Sequence, residues 1–118
     1  MIRIEKDWFQ ITNISSPHIS TFLKKDIHFM KNIDICFFIA ELDFITSDSV
    51  TNTVIINLPE LTYKFAQCEN TVFALKNDEI NTIVKLRLEP TRLIMESFPF
   101  SPNSKYEFNI QFFLRVVN

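Results

Sequence analysis

The chain has 118 residues, of which 47% are hydrophobic and 22% are charged, and its formal net charge is −2. This length accommodates one domain, residues 1–118, and the apolar content is that of a globular chain. Its 12 basic residues against 14 acidic ones give no basic surplus, so no nucleic-acid partner is expected. No apolar run approaches the roughly 20 residues of a membrane helix, so no membrane span is expected.

The N-terminal residues and the cysteines bear on where the chain is made. Residues 1–7 carry charges where a signal peptide requires an apolar core, so we expect synthesis in the cytoplasm. Virus and phage particles also assemble in the cytoplasm, so this expectation is compatible with a protein that functions on such a particle. Two cysteines in this setting do not predict a disulfide framework. Cys36 lies in an apolar run and is interpreted as a small buried hydrophobe, whereas Cys68 lies near a predicted loop; whether the two pair stays open.

Glycine is absent from the chain. Every motif that depends on glycine is therefore excluded, including the phosphate-binding P-loop, the dinucleotide fingerprint, the nucleophile elbow and the EF-hand loop. Turns that require a positive φ must instead use Asn or Asp, which tolerate the left-handed region best after glycine.

Alternation of apolar and polar residues predicts strands along the whole chain. In chain order the predicted strands cover residues 2–4, 8–11, 27–30, 33–45, 53–58, 63–65, 71–75, 83–89, 92–96 and 106–116. The intervening breaks and turns are predicted at residues 16–17, 31–32, 46–49, 69–70, 77–78 and 89–91. Residues 20–30 admit a single helical turn, but their Ile, Phe and Thr favour extended structure. About eight to ten short strands at this spacing predict an all-β, antiparallel, jelly-roll-like β-sandwich.

The parity of the apolar positions predicts which side chains face the core. In residues 106–116 every even position is apolar, and in 38–44 the even positions are again apolar, with Glu41 and Asp43 opposite. In residues 33–37 the apolar positions are odd instead. Either a β-bulge or a strand buried on both faces would explain this switch.

No combination of residues in the chain has the spacing of a known catalytic or metal site. His18 and His28 are ten residues apart and fit no metal-ligand motif. Glu41 and Asp43 lie on one face of one predicted strand, about 7 Å apart, which is also ordinary patterning of a solvent face. We therefore predict no catalytic residues, no cofactor, no metal and no enzymatic activity.

Several apolar residues fall where the strand pattern expects polar ones. Phe37, Ile55 and Phe113 break the polar parity of their strands, which indicates a second buried surface such as a subunit interface. Phe98 and Phe100 lie in a segment between two strands, where they either pack beneath the sheet or form a contact surface. These five residues are the candidate interface.

A longer arrangement of features begins near residue 31. A long apolar strand at 33–45 leads through a polar loop to a strand that ends in Leu58-Pro59, and Tyr63 and Phe65 follow in a variable stretch. The strands at 83–88, 93–96 and 106–116 complete the series. This order resembles the C-terminal jelly-roll head domains of phage tail-fibre and baseplate receptor-binding proteins. The chain departs from them at residues 89–91 and after Leu58-Pro59, where such heads usually carry glycine.

The resemblance implies a homotrimeric protein on a particle surface that recognises a host glycan or protein, and it assigns no binding residues here. The sequence accordingly favours a structural or recognition subunit of a viral or phage-type assembly, binding through loops and self-associating through a sheet face. One alternative is a small intracellular binding protein, such as a phage-encoded inhibitor or an immunity-type protein, that acts on a host protein. A small jelly-roll hydrolase or cupin is a third alternative, although a cupin needs clustered His and Glu ligands.

Overall fold

Eight antiparallel strands make up most of the chain in the computed structural model, which describes residues 6–32, 35–61, 68–79, 81–96 and 99–115. The strands are β1 (Lys6–Ile11), β2 (Ile19–Asn32), β3 (Ile35–Thr46), β4 (Thr53–Asn57), β5 (Cys68–Lys76), β6 (Asn81–Glu89), β7 (Arg92–Glu96) and β8 (Lys105–Arg115). Within the described ranges there is no helix, and so none long and apolar enough to cross a membrane. The predicted strands at 2–4 and 63–65 lie outside the described residues, as does Phe98.

All eight strands belong to one sheet, in the order β1-β2-β3-β8-β5-β6-β7-β4. Every pairing is antiparallel, and the sheet curls into a half-barrel. The prediction of an all-β antiparallel fold is therefore confirmed. A division into two packed sheets, as in a sandwich or jelly roll, is not confirmed, because the described strands share one continuous hydrogen-bonded ladder.

The two longest strands, β2 and β3, run side by side for 14 and 12 residues. At about 3.3 Å per residue β2 is roughly 46 Å long. Residues 20–30 all lie within β2, so the helical turn considered for them is wrong and their extended structure is confirmed. The register of β3 with β8 is continuous from Ile35 to Ile45, and a bulge in β3 is therefore wrong as well. The irregularities lie in β2 instead, between Ile19 and Thr21 and between Phe22 and Lys24. The parity switch in β3 thus reflects apolar side chains on both of its faces.

The core lies on the inner, concave face of the sheet. The even-numbered side chains of β3 and β8 point inward and are buried, as are those of Val84, Leu86 and Leu88 of β6. Aromatic rings fill the centre: Phe44 stacks on Phe108 with 5.5 Å between ring centroids, and Phe38 meets Phe112 edge-on at 6.2 Å. Each fully buried ring of this kind contributes about 1.5–3 kcal/mol of burial free energy, so this face supplies most of the hydrophobic stabilisation.

The two edges of the sheet meet at one end of the half-barrel. Ser15, after β1, and Asn57, at the end of β4, exchange two backbone hydrogen bonds of 2.7 and 3.3 Å. Close by, Nδ1 of His18 accepts the backbone N–H of Ile55 at 3.1 Å. An uncovered edge strand is a template for pairing with other chains. These contacts cover the outer edge of β4, and they give His18 a structural role.

A carboxylate reinforces the same junction. Oε1 of Glu60 accepts the backbone N–H groups of Thr12, at 2.9 Å, and Asn13, at 2.5 Å. These bonds, that of Asn13 first and that of Thr12 second, hold the pKa of Glu60 below its ordinary value of 4.5. Hydrogen bonding to the charged form of a carboxyl group always lowers its pKa in this way. The ionised side chain therefore joins the segment after β1 to the segment after β4.

Asn and Asp take most of the left-handed turn positions in this glycine-free chain. Asn77, Asp78 and Asn103 have φ values of 51°, 60° and 53°, and the predicted turn at 77–78 is confirmed as the β5–β6 connection. The predicted turn at Glu69-Asn70 is wrong, because both residues belong to β5 and pair with β6. At these two positions, pairing with β6 outweighs the preference of the residues for turns.

Thr91 is the exception, with a φ of 68°. It follows Pro90 in the two-residue connection between β6 and β7, so the predicted turn at 89–91 is confirmed. A positive φ after proline is a position that normally requires glycine, and a β-branched residue there is strained. Two hydrogen bonds maintain this strained backbone conformation. The N–H of Thr91 donates to Leu61 O, and the carbonyl of Thr91 accepts the N–H of Leu58.

The segment before β8 packs into the end of the half-barrel. Phe100 is 2% exposed and meets the ring of Tyr106 edge-on at 5.1 Å. The buried hydroxyl of Thr46 donates to Ser101 O at 2.6 Å and accepts the N–H of Ser104 at 3.0 Å. Phe100 is therefore a core residue, and the packing alternative, not the contact-surface one, applies to it.

Candidate interaction surface

Exposed hydrophobic residues are concentrated on the outer face of the sheet. In the described ranges six large hydrophobic side chains are exposed, and strand register places five of them on the face opposite the core. These five are Ile35, Phe73, Leu75, Ile83 and Phe113. The sixth, Leu23, lies in the irregular part of β2. Scattered apolar residues are normal on a protein surface, whereas their concentration on one face marks an interaction site.

One group of outward apolar residues, some exposed and some half-buried, spans β2, β3 and β8, and we call it the three-strand patch. It consists of Met30, Ile35, Phe37, Ile39 and Phe113. Register places Met30, Phe37 and Phe113 side by side in one row, and the rings of Phe37 and Phe113 are 4.1 Å apart between centroids. Phe113 is 64% exposed even so.

The second group lies across β5 and β6. Phe73 and Ile83 are directly opposed in register and are 66% and 59% exposed. Leu75 is the next outward residue of β5 and is also exposed. The ladder between β5 and β8 consists of the pairs of Leu75 with Glu107 and of Lys76 with Tyr106.

Charged residues on β2, β3 and β8 separate the two groups. Lys24 forms an ion pair with Glu41, and Lys105 lies 2.9 Å from Glu107. Asp43 lies between them, and its pKa is raised first by burial and then by the negative charge of Glu107. Together with Phe73 and Leu75, these carboxylates border an open depression of about 470 Å³.

Ion pairs also join oppositely charged side chains of β5, β6 and β7 on the outer face. Lys85 pairs with Glu69 at 3.5 Å, and Arg87 pairs with Glu89 at 3.0 Å. Arg92 joins the same Glu89. Exposed pairs of this kind contribute little to stability, but they leave the face without a strong field of either sign. A surface of this kind suits an uncharged or self-complementary partner better than a polyanion.

The two histidines have hydrogen-bond or ion-pair partners within the fold, and both cysteines are free thiols. Nδ1 of His18 accepts a backbone N–H, and Nε2 of His28 lies 2.8 Å from Asp26. No group of three His, Cys, Asp or Glu side chains in the described part of the chain is placed to hold a metal ion. Cys36 and Cys68 are both free, and burial raises the pKa of each thiol, which keeps them in the unreactive protonated form.

The predicted interface residues divide into four cases. Phe37 and Phe113 lie together at the centre of the three-strand patch. Ile55 is half-buried on β4, next to Ile94 of β7 and away from the patch. Phe100 is in the core, and Phe98 lies outside the described residues.

Phe73, Leu75 and Ile83 were not predicted from the sequence as surface residues. Ile83 could have been found, because its neighbours Val84, Leu86 and Leu88 point inward and alternation then places Ile83 outward. Phe73 could not, since the parity of β5 is set by its pairing with β6.

No protein-family model matches the sequence, and no curated protein or solved structure is a significant match to it.

Proposed function

We propose that this chain is a non-enzymatic structural or recognition subunit of an assembly, of viral or phage type, that self-associates through the outer face of its half-barrel. The observation that carries the proposal is the concentration of five exposed hydrophobic side chains on that face. The host glycan or protein that such a subunit would recognise binds, in this proposal, through the loops at the ends of the strands.

Burial of this face would contribute favourable free energy to association. Complete burial of a Phe side chain contributes about 1.5–3 kcal/mol, and Phe113 is 64% exposed. Covering the remaining part of that ring would contribute about 1–2 kcal/mol. Phe73 and Ile83 are exposed to a similar extent, so several such contributions lie on one face.

The electrostatics of the face also support self-association. Its charges form local pairs such as Lys24 with Glu41 and Lys85 with Glu69. Two copies can therefore approach without like-charge repulsion, which otherwise suppresses pairing of identical surfaces.

Sedimentation velocity over a wide range of protein concentrations tests the proposal with two matched variants. Phe113→Ser removes a ring from the outer face, and Leu23→Ser removes a comparably exposed side chain from the irregular part of β2. We expect the wild type and Leu23→Ser to self-associate equally and Phe113→Ser to remain monomeric. A wild type that is monomeric at every concentration would contradict the proposal and favour an intracellular inhibitor that binds a host protein. Equal effects of the two variants would also contradict it.

A further inference from the structure

On β3 and β8 the three-strand patch has a similar pattern in both directions along the strands. On β2 the flanking register positions are His28, beside Ile39, and Asn32, beside Ile35. The central row of the patch contains Met30, Phe37 and Phe113, one from each of three adjacent strands. One row towards either end, β3 presents an isoleucine: Ile35 on one side and Ile39 on the other. The apolar part of the patch is therefore palindromic about its central row.

The flanking positions of β8 continue the pattern with polar side chains. Arg115 is opposite Ile35, and Gln111 is opposite Ile39, and both are exposed. Each flanking row thus combines an isoleucine on β3 with a polar residue on β8. Arg115 carries the only formal charge among the outward positions of β3 and β8 in these three rows.

A surface with this symmetry matches a second copy of itself. A half-turn about an axis along the central row reverses the strand direction and keeps each strand above its own copy. Phe37 and Phe113 then meet the same residues of the second copy, and Ile35 meets Ile39. Arg115 meets Gln111, whose amide oxygen accepts hydrogen bonds from a guanidinium group.

We infer that the occupant of the three-strand patch is a second copy of this chain, related by a two-fold axis along the row Met30–Phe37–Phe113. This inference rests on the proposed function and specifies its partner. An isologous contact uses one patch twice, as this one does, whereas the rings of a trimer join two different patches. The palindrome therefore favours a pair over the trimer that the phage-head resemblance implies.

The spacing of the charges is compatible with such a pair. The two copies of Arg115 would be offset by four residues along the strands, or about 13 Å. Facing sheets are also about 10 Å apart, so the two guanidinium groups lie beyond a Debye length at physiological salt.

The size of the patch limits the strength of the pair. Three strands about 4.8 Å apart and three rows about 6.6 Å apart cover roughly 300 Å². A stable complex buries about 800 Å² on each partner, so neighbouring parts of the outer face must contribute the rim. We therefore expect a pair that dissociates on dilution and depends strongly on its central aromatic residues.

Cysteine cross-linking tests the register of the pair. In a Cys68→Ser background, Gln111→Cys and Arg115→Cys are prepared as separate proteins and treated, alone or mixed, with a bis-maleimide that spans only facing strands. The two-fold pair places residue 111 about 10 Å from residue 115 of the second copy but about 16 Å from its own counterpart. We expect at least five times more covalent dimer in the mixture than in either protein alone. Equal yields, or no dimer in the mixture, would overturn the inference.

Charge variants of Gln111 provide a second test, with folding confirmed by circular dichroism. Gln111→Glu places a carboxylate opposite Arg115 of the second copy and should tighten the pair several-fold, whereas Gln111→Lys should weaken it. Equal shifts of the two dissociation constants would contradict the two-fold register. If self-association depends on Phe113 but neither test gives the expected pattern, the two-fold axis is wrong while the proposed function stands. A wild type that never associates would refute both.

Discussion

Phe112 and Phe113 are consecutive, identical residues on opposite faces of β8, and they provide a matched test of the fold. Phe112 is 2% exposed and packs edge-on against Phe38, whereas Phe113 is 64% exposed. Truncation of a buried Phe to Ala costs about 3–5 kcal/mol, because the lost burial is accompanied by a cavity. We therefore expect Phe112→Ala to lower the free energy of unfolding by about that amount.

Phe113→Ala should have a much smaller effect on the same free energy. Only about a third of its ring is covered, so the lost burial is about 0.5–1 kcal/mol, and the contact with Phe37 adds about 0.5 kcal/mol. A chain of this length has a total stability of about 6–18 kcal/mol. Both variants should therefore still fold at room temperature, with Phe112→Ala destabilised by about 1.5–4 kcal/mol more than Phe113→Ala.

Urea unfolding followed by tryptophan fluorescence measures the difference. With a denaturant dependence of about 2 kcal/mol per molar urea, the midpoint should fall by about 1.5–2.5 M for Phe112→Ala and by less than about 0.8 M for Phe113→Ala. The experiment is done at a concentration where light scattering shows a monomer, since association would stabilise the native state by mass action. Equal midpoint shifts, or a larger shift for Phe113→Ala, would refute the assignment of the two faces of β8.

Two further predictions concern the turn between β6 and β7 and the junction of the sheet edges. Thr91→Gly should raise the free energy of unfolding by about 1 kcal/mol, because glycine adopts a positive φ without strain; Thr71→Gly, in exposed β5, should lower it, and a loss of stability in both would contradict the assigned turn. Glu60→Gln should destabilise the protein at neutral pH, since it removes the charge that accepts the N–H groups of Asn13 and Thr12. The pKa of Glu60 is lowered by folding, so its contribution is present above the ordinary pKa of 4.5 and is lost as the pH falls through the lower folded value. The difference between wild type and variant in thermal melts should therefore shrink on acidification, and a difference that grows towards low pH would count against this role.

The sequence predicted the strands whose alternation is regular and failed where pairing overrides local pattern. The alternation of residues 106–116 identified β8 and its buried face correctly, since period-two patterning is sufficient for a strand with one face in the core. In β2 only residues 27–30 were recognised, because the irregularities after Ile19 and Phe22 break the alternation. Glu69 and Asn70 are typical of turns, yet their pairing with Arg87 and Leu86 in β6 holds them extended.

The arrangement of the strands could not be derived from local patterns at all. β8 lies between β3 and β5, and β4 lies at the far edge beside β7. These are contacts between distant parts of the chain, and nothing in the alternation of single strands specifies them. The sequence alone therefore could not distinguish one curled sheet from two packed sheets.

The candidate surface was predictable in part for the same reason. Phe37 and Phe113 could be identified because each is an apolar residue at an outward position of a regular strand. That they lie side by side, with Met30 completing the row, depends on the register of three strands. The symmetry of the patch became visible only once that register was known.

The central claim is that the outer face of the half-barrel binds a second copy of the chain. The most direct test is the molar mass of the wild-type protein by light scattering as its concentration is raised. From the 13.9 kDa of a single chain, we predict a reversible rise towards twice that mass, and no such rise for Phe113→Ser. A mass that stays at the single-chain value at every concentration would contradict the claim.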